Sequence, residues 1–408
     1  MIHKLKYGEK RLNFNTNEKS EVLNIIEPER TVDLMHFTTS LKLLVNPPEK
    51  KSAKIAIVVS DKTRLCGYTN YLPALLNVLE SKGVKKENIN IYIAYGTHPR
   101  QSEDECLRSY GRIYHDYKFI HHDCNDMQVF AELGKTQRGT PVRIRKDILE
   151  TGMIIAFGAI SHHYFAGFGG GRKLLFPGLG ERQAIYHNHS LFLDRNTRLL
   201  ATQCQSGVLI DNPISEDLLE INAMLPSYLS IHGILNSKGE VCQFKFGTTY
   251  NDFLDACNIH DQHFRINTDK QYDFVIASAG GYPKDINFIQ SHKAVHNAAA
   301  FVKDGGSLLV LAECRDGIGT NSFLPVFKEG DWDTTFNKLL DHYEGNGGTA
   351  LAMMTKTKRI NIYMLTELDE PTCSLIGVKK LDFQKAKELT GSAKGSFAVI
   401  NNASMLIK

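Results

Sequence analysis

The chain has no CxxC pair, no apolar run near the length of a membrane span and no marked excess of either charge. Each absence removes a class of function. The eight cysteines (Cys66, Cys106, Cys124, Cys204, Cys242, Cys257, Cys314 and Cys373) are scattered. That speaks against a thiolate zinc site and against a disulfide framework, and it sets the expected compartment as a reducing cytoplasm. A spanning helix needs about 20 consecutive apolar residues, and without one no membrane partner is expected. The N-terminus, MIHKLKYGEKRLNFN, alternates polar and apolar residues and holds no apolar core of a signal peptide. Lys and Arg total 48 against 45 Asp and Glu, a balance that gives no argument for nucleic acid or an acidic lipid surface.

What is there is an ordinary globular composition, 42% hydrophobic and 23% charged, in 408 residues. That length exceeds what one core readily supports, so two domains are expected. Apolar β-branched runs alternate with helical periodicity. AKIAIVVS (53–60), INIYIA (89–94), YKFIHHD (117–123), MIIAFGAI (153–160), DFVIASAG (273–280), 307–312 and 359–366 read as strands. Residues 69–81, 215–223, 333–344 and the runs GERQAIYHNHSLFL and QSHKAVHNAAAFV read as helices. The alternation predicts an α/β protein: two α/β domains with the active site in the cleft between them. The polar stretch 260–271 sets the boundary. It gives an N-terminal cofactor-binding domain over 1–265 and a C-terminal domain over 266–408, whose final strand could return to the first domain. Residues 1–50 read as an edge hairpin and a connecting segment.

The chain is organised around SHHYFAGFGGGRKLLFPG, residues 161–178. It follows a buried strand and brings two histidines, clustered glycines and a basic pair together. Glycines allow close backbone approach, and successive N–H groups can cradle phosphate. No Ser or Thr follows Lys173, so this is not a Walker A loop, and the GxGxxG pattern is broken at Arg172. The plainest reading is a glycine-rich turn between a strand and a helix. Polar groups recur just past strands: Asp61 with Arg64, His98, His163 with Lys173, and Gln290 with Lys293. Arg and Lys suit a carboxylate, and two histidines from separate loops suit opposed acid and base. His189 is a third histidine, available as a metal ligand.

The motif set SDKTR, GTHPR, HHYFAGFGGGRK, NHS and GGYPKDINFIQSHK resembles, in order and over nearly the whole chain, the lactate racemase family. The resemblance implies a nickel-pincer nucleotide, a pyridinium-3-thioamide-5-thiocarboxylic acid mononucleotide tethered to a lysine. Carbon, two sulfurs and a histidine would hold the nickel in a square plane. It implies racemisation or epimerisation of a 2-hydroxy acid by proton-coupled hydride transfer. By motif, Lys173 of GGGRK would be the tether and His189 of NHS the nickel ligand. His98 of GTHPR and His163, directly before YFAGF, would be the two acid/base groups, one for each enantiomer. Arg64 of DKTR would bind the substrate carboxylate, supported by Gln290 and Lys293. Asp61, Thr63, Gly170 and Gly171 would hold the cofactor. Cofactor-synthesis and nickel-insertion enzymes would be transient partners. Ile289 stands where lactate-acting members carry a bulkier polar aromatic, so the substrate is read as lactate or a related 2-hydroxycarboxylate. Two other readings are a 2-hydroxyacid dehydrogenase using a free dinucleotide and a non-catalytic ligand-binding relative. The broken glycine fingerprint counts against the first, and the retained Arg64, His98, His163, Lys173 and His189 count against the second.

Overall fold

The structure is a computed structural model that describes residues 1–16, 20–49 and 53–408. The apolar runs become strands of two six-stranded sheets, one in each of two compact units. One unit comprises residues 27–191 and 203–262. Its strands stand in the order Val241–Gly247, Leu229–Leu235, Met153–Ala159, Ile55–Ser60, Ile89–Ala94 and Lys118–His121. All neighbours are parallel except the Val241–Gly247 edge. The chain enters mid-sheet, runs outward on one side, then returns and runs outward on the other. The reversal falls between Ile55–Ser60 and Met153–Ala159. In such sheets ligands bind in the crevice beyond the carboxyl ends at that point.

Ile55–Ser60 is buried along its whole length, which is why it reads as an unbroken apolar run. Ile55, Ile57 and Val59 pack with Leu72, Leu75 and Leu79 of the helix Tyr68–Ser81. Ala56 and Val58 face the other way, onto Leu174, Leu175 and Leu179. Each buried leucine contributes on the order of 1.5–3 kcal/mol, so this packing anchors the chain just after the glycine-rich stretch. Gly158 permits the approach, since a Cβ there would lie 2.9 Å from Leu174 Cδ1.

The other unit comprises residues 1–26, 192–202 and 263–408. Its sheet is parallel throughout, in the order Lys379–Leu381, Asn361–Leu365, Val302–Leu311, Tyr272–Ser278, Phe397–Ile400 and Glu21–Leu23. The helix Phe288–Ala299 buries Phe288, Ala294, Val295 and Ala298 with Val275 and Ala277. An N-terminal hairpin, Ile2–Tyr7 with Lys10–Asn15, sends Leu5 and Phe14 into a core with Phe274, Ile276 and Val399.

Three expectations are corrected. The division is not contiguous at 265/266, because residues 1–26 and 192–202 group with the C-terminal part. Leu5, Phe14 and the strand Glu21–Leu23 find their partners there, and Phe192 packs edge-on against Tyr343 at 6.2 Å. The final strand, Phe397–Ile400, stays in the C-terminal sheet, and the N-terminal chain comes to it. Residues 1–50 hold a helix besides the hairpin, Leu34–Leu44, capped by Asp33. It buries only Phe37 and Leu41, and its Thr-Thr pair has modest helix propensity, so its periodic signal is thin.

Candidate functional site

Beyond the carboxyl ends of Ile55–Ser60, Ile89–Ala94 and Met153–Ala159 lies a pocket of about 110 Å³ whose walls include Asp61, Arg64, His98, His163, Gly170, Lys173 and His189. Four separate stretches of sequence meet here.

Asp61 begins the turn after the central strand, closed by Arg64 N donating to Asp61 O at 3.1 Å. Burial alone would push the Asp61 carboxyl up. Opposing it, His98 Nδ1 donates to Oδ2 at 2.6 Å, and Thr63 donates to Oδ1 through N at 2.8 Å and Oγ1 at 2.5 Å. These bonds, with the positive charge of Arg64, hold the carboxyl well below its usual range. Asp61 is therefore ionised. Expected from its motif to hold a cofactor, it uses both oxygens on the chain itself. Arg64 is exposed at the pocket.

His98 closes a turn, with its N donating to Tyr95 O at 3.0 Å. Gly96 at φ +57° lets that turn reach the Pro177-Gly178 corner, where Gly96 N donates to Gly178 O at 2.8 Å. Ser102 and Glu105 form the expected capping box, so the following helix does not need His98 as its cap.

The glycine-rich stretch does not stay a loop. Ser161–His163 pairs with Gly167–Gly169 as a small hairpin. Neighbouring residues on a strand face opposite ways, and the two histidines part accordingly. His162 Nε2 meets Asp261 Oδ1 at 2.8 Å, while His163 lines the pocket. His163 Nδ1 accepts from the backbone N–H of Phe165 at 3.3 Å and of Ala166 at 3.1 Å. Gly170, at φ +82°, lies so close to the strand that a Cβ would sit 2.2 Å from Ala159 O. Here glycine serves close packing of backbone on backbone.

Lys173 stands in the single turn Gly171–Leu174. Burial, then the charges of Arg64 and Arg172, push its ammonium pKa well below the ordinary lysine range. Its surroundings therefore disfavour the charged form. Arg172 turns away, donating from Nη2 to Ser215 Oγ at 2.8 Å beneath the Tyr250 and Phe253 rings.

His189 ends the helix Arg182–Ser190. Its Nδ1 donates to Ile185 O at 2.9 Å, which leaves the lone pair on Nε2. Burial, then the Lys173 charge, push its pKa down to about 3, so the ring is neutral. The helix is held by Asp217, fully buried, which accepts from Thr136 Oγ1 at 2.6 Å, Thr140 Oγ1 at 2.8 Å and Asn188 Nδ2 at 2.8 Å. Sequence reading missed this brace, because Asp217 lies in PISEDLLEINA, where an acidic residue looks solvent-facing.

Thr63 and Gly171 are not among the lining residues. Thr63 acts through Asp61, and Gly171 abuts Phe253 and His232. Gln290 and Lys293 belong to the other unit. There Lys293 Nζ donates to Gln290 Oε1 at 2.9 Å on the helix Phe288–Ala299.

Chemically, the pocket offers a carboxylate-backed imidazole, a second imidazole, a lysine amine, an imidazole with an available lone pair and a guanidinium. It can bind a carboxylate, move a proton, form a covalent bond to an amine and supply one nitrogen to a metal. Among the described residues no group of three or more His, Cys, Asp or Glu could hold an ion by itself. The sheet order is also that of dinucleotide-binding folds, but their glycine fingerprint occupies the turn after the first strand. Here that turn is DKTR.

The sequence pattern of the lactate racemase N-terminal domain matches residues 7–199, and that of the lactate racemase C-terminal domain matches 267–349. A lactate racemase of Thermoanaerobacterium thermosaccharolyticum is 30% identical over 358 residues, 86% of this chain and 82% of that protein. A lactate racemase of Lactiplantibacillus plantarum is 28% identical over 270 residues, 66% of this chain and 62% of that protein. The solved apoprotein of the Thermoanaerobacterium thermosaccharolyticum lactate racemase superposes with a TM-score of 0.87 at 25% identity, covering 100% of this chain and 99% of the other. A Thermotoga maritima protein shares the fold, with a TM-score of 0.69 at 16% identity over 93% of this chain and 99% of the other.

Proposed function

The chain belongs to the lactate racemase family and is an isomerase, and on that premise we propose that it racemises or epimerises lactate or a related 2-hydroxycarboxylate at a nickel-pincer nucleotide joined to Lys173. The residues present fit such a group. Lys173 brings an amine whose charged form is disfavoured by burial and which could form the thioamide. His189 brings an Nε2 lone pair for a metal whose other donors arrive with the cofactor. Gly170 lines the pocket the nucleotide would enter, and the parts of Asp61, Thr63 and Gly171 in holding it rest on their motifs alone. When bound, the cofactor supplies an electrophilic carbon that accepts hydride and returns it.

The chain's own residues do the rest. Arg64 receives the substrate carboxylate with two parallel N–H bonds. His98 takes the hydroxyl proton on Nε2, and Asp61 stabilises the imidazolium that forms. His163 serves the substrate oxygen from its own hairpin. The part of Gln290 and Lys293 in carboxylate binding rests on their motif alone. Cofactor-building and nickel-inserting enzymes would be partners in maturation. No described helix is long and apolar enough to cross a membrane. The eight cysteines are free and buried, which supports the reading of a reducing cytoplasm.

The observation that carries this reading is that Lys173 and His189 share one pocket with His98 and Arg64. The test is to produce the chain alongside cofactor-building enzymes and supply each enantiomer of lactate and of other short 2-hydroxy acids. Chiral chromatography should show interconversion, and intact mass should show an addition on Lys173. Net oxidation with a dissociable dinucleotide would favour the dehydrogenase instead, and loading without any interconversion would favour the non-catalytic relative.

A further inference from the structure

The proposal that follows rests on reading His98 and His163 as the proton-handling pair and goes further into that pair. The two rings are held by opposite kinds of partner. His98 Nδ1 is 2.6 Å from Asp61 Oδ2, and an ionised carboxylate can only accept. The proton of His98 is therefore on Nδ1, and the lone pair is on Nε2. His163 Nδ1 is met by the backbone N–H groups of Phe165 and Ala166, and an amide N–H can only donate. The lone pair of His163 is therefore on Nδ1, and its proton is on Nε2.

We propose that the site holds His98 and His163 in opposite tautomers, and that Asp61 and the Phe165 and Ala166 amides are the positioning groups that impose them. The resting pocket is then loaded for one hand of substrate. A hydroxyl facing His98 can give up its proton at once: the O–H bond breaks, Nε2–H forms, and Asp61 faces the new charge. His163 meets a substrate oxygen as a donor, through Nε2–H. To act as a base it must first move its proton from Nε2 to Nδ1, and there two amide N–H groups stand in the way. The turn 163–166 must release the ring before the second enantiomer is served from that side. The hairpin Ser161–His163 with Gly167–Gly169 is thus a gate on one direction of proton transfer as well as a support.

The test reads tautomers and not turnover. The chain is prepared without cofactor and with ¹⁵N-labelled histidine; a relative's apoprotein has this fold. Long-range ¹H–¹⁵N correlations are recorded at about pH 8.5, above the ordinary imidazole range, with His98→Gln and His163→Gln to assign the two rings. The expected pattern is Nδ1–H at His98 and Nε2–H at His163. Asp61→Asn supplies the second arm. Thr63 N and Oγ1 keep the amide oxygen on their side, so the new NH₂ faces His98, and its tautomer should switch to Nε2–H with that of His163 unchanged. Both rings in one tautomer in the unaltered chain would overturn the proposal. So would a His98 that keeps Nδ1–H in Asp61→Asn. Failure to racemise in the loaded enzyme would sink the functional reading alone, because these spectra do not depend on it.

Discussion

Arg64 makes one long side-chain contact in its own loop, Nη1 to Thr63 Oγ1 at 3.4 Å, which leaves the guanidinium disposed toward a ligand. Bidentate carboxylate binding depends on a planar fork that lysine lacks. Arg64→Lys should therefore lose about 2–4 kcal/mol in kcat/KM, the range for truncating one side of a desolvated charge pair. Near-normal kcat/KM in that variant would count against the role. Lys173 allows a cleaner separation of chemistry from folding. It stands in a single turn beside the buried Leu174 and Leu175 and is not itself one of the buried core residues. Lys173→Ala should lose the covalent mass addition and all activity while Tm stays within a few degrees of the parent. An adduct of unchanged mass on the variant would place the tether elsewhere. The identities of these residues were legible because each lies just past a strand. Their partners were not. Nothing in SDKTR or GTHPR says that Asp61 and His98 bond to each other across 37 positions.

The helix Arg182–Ser190 shows how an element is aimed. Its N-terminus is capped by Glu181, which accepts from Gln183 N and Ala184 N, and its far end is braced by Asp217 through Asn188. Asp217→Ala would strand the Thr136, Thr140 and Asn188 donors in a dry interior, at about 1–3 kcal/mol for each unmet group. Asp217→Asn keeps an acceptor in place and should cost less. Urea unfolding should rank the two in that order, and the reverse ranking would mean that the three donors do not depend on the carboxylate. At this scale the strands were readable, since a parallel strand buried on both faces writes a continuous apolar run. The hairpin inside the glycine-rich stretch was not, because two three-residue strands, one of them Gly-Phe-Gly, carry no alternation to read. Nor was the helix Leu34–Leu44, whose apolar stripe is so thin.

At the scale of the molecule, both units keep neutral histidines in their cores, and pH should expose this. The division into units was only half legible for a related reason: Leu5 and Phe14 bury against residues some 260 or more positions away, and non-local packing leaves no local trace. His122 and His232 are pushed down to about 4, first by burial. His292 and His296 of the other unit are pushed well below 6.5, again first by burial. The unfolded chain takes up protons at these rings below about 6.5, whereas the folded chain holds off to lower pH. Their contribution to stability is therefore complete above that value and is lost as pH falls toward the folded pKa. Buried Lys356, pushed down to about 7 from 10.5, gives up its stability as pH falls from about 10.5 to about 7, which lies mostly above this window. His232 gives the sharpest test, since neither ring nitrogen has a hydrogen-bond partner and Phe253 stands edge-on to it at 6.0 Å. His232→Leu removes the titrating ring without stranding a donor. Calorimetric Tm of the parent should fall from about pH 7 to about pH 4.5, with roughly 2 kcal/mol of the loss due to this one imidazole at 1.36 kcal/mol per unit. The variant should fall visibly less over the same range. Parallel curves would show that His232 is already protonated, or hydrated, inside the folded chain.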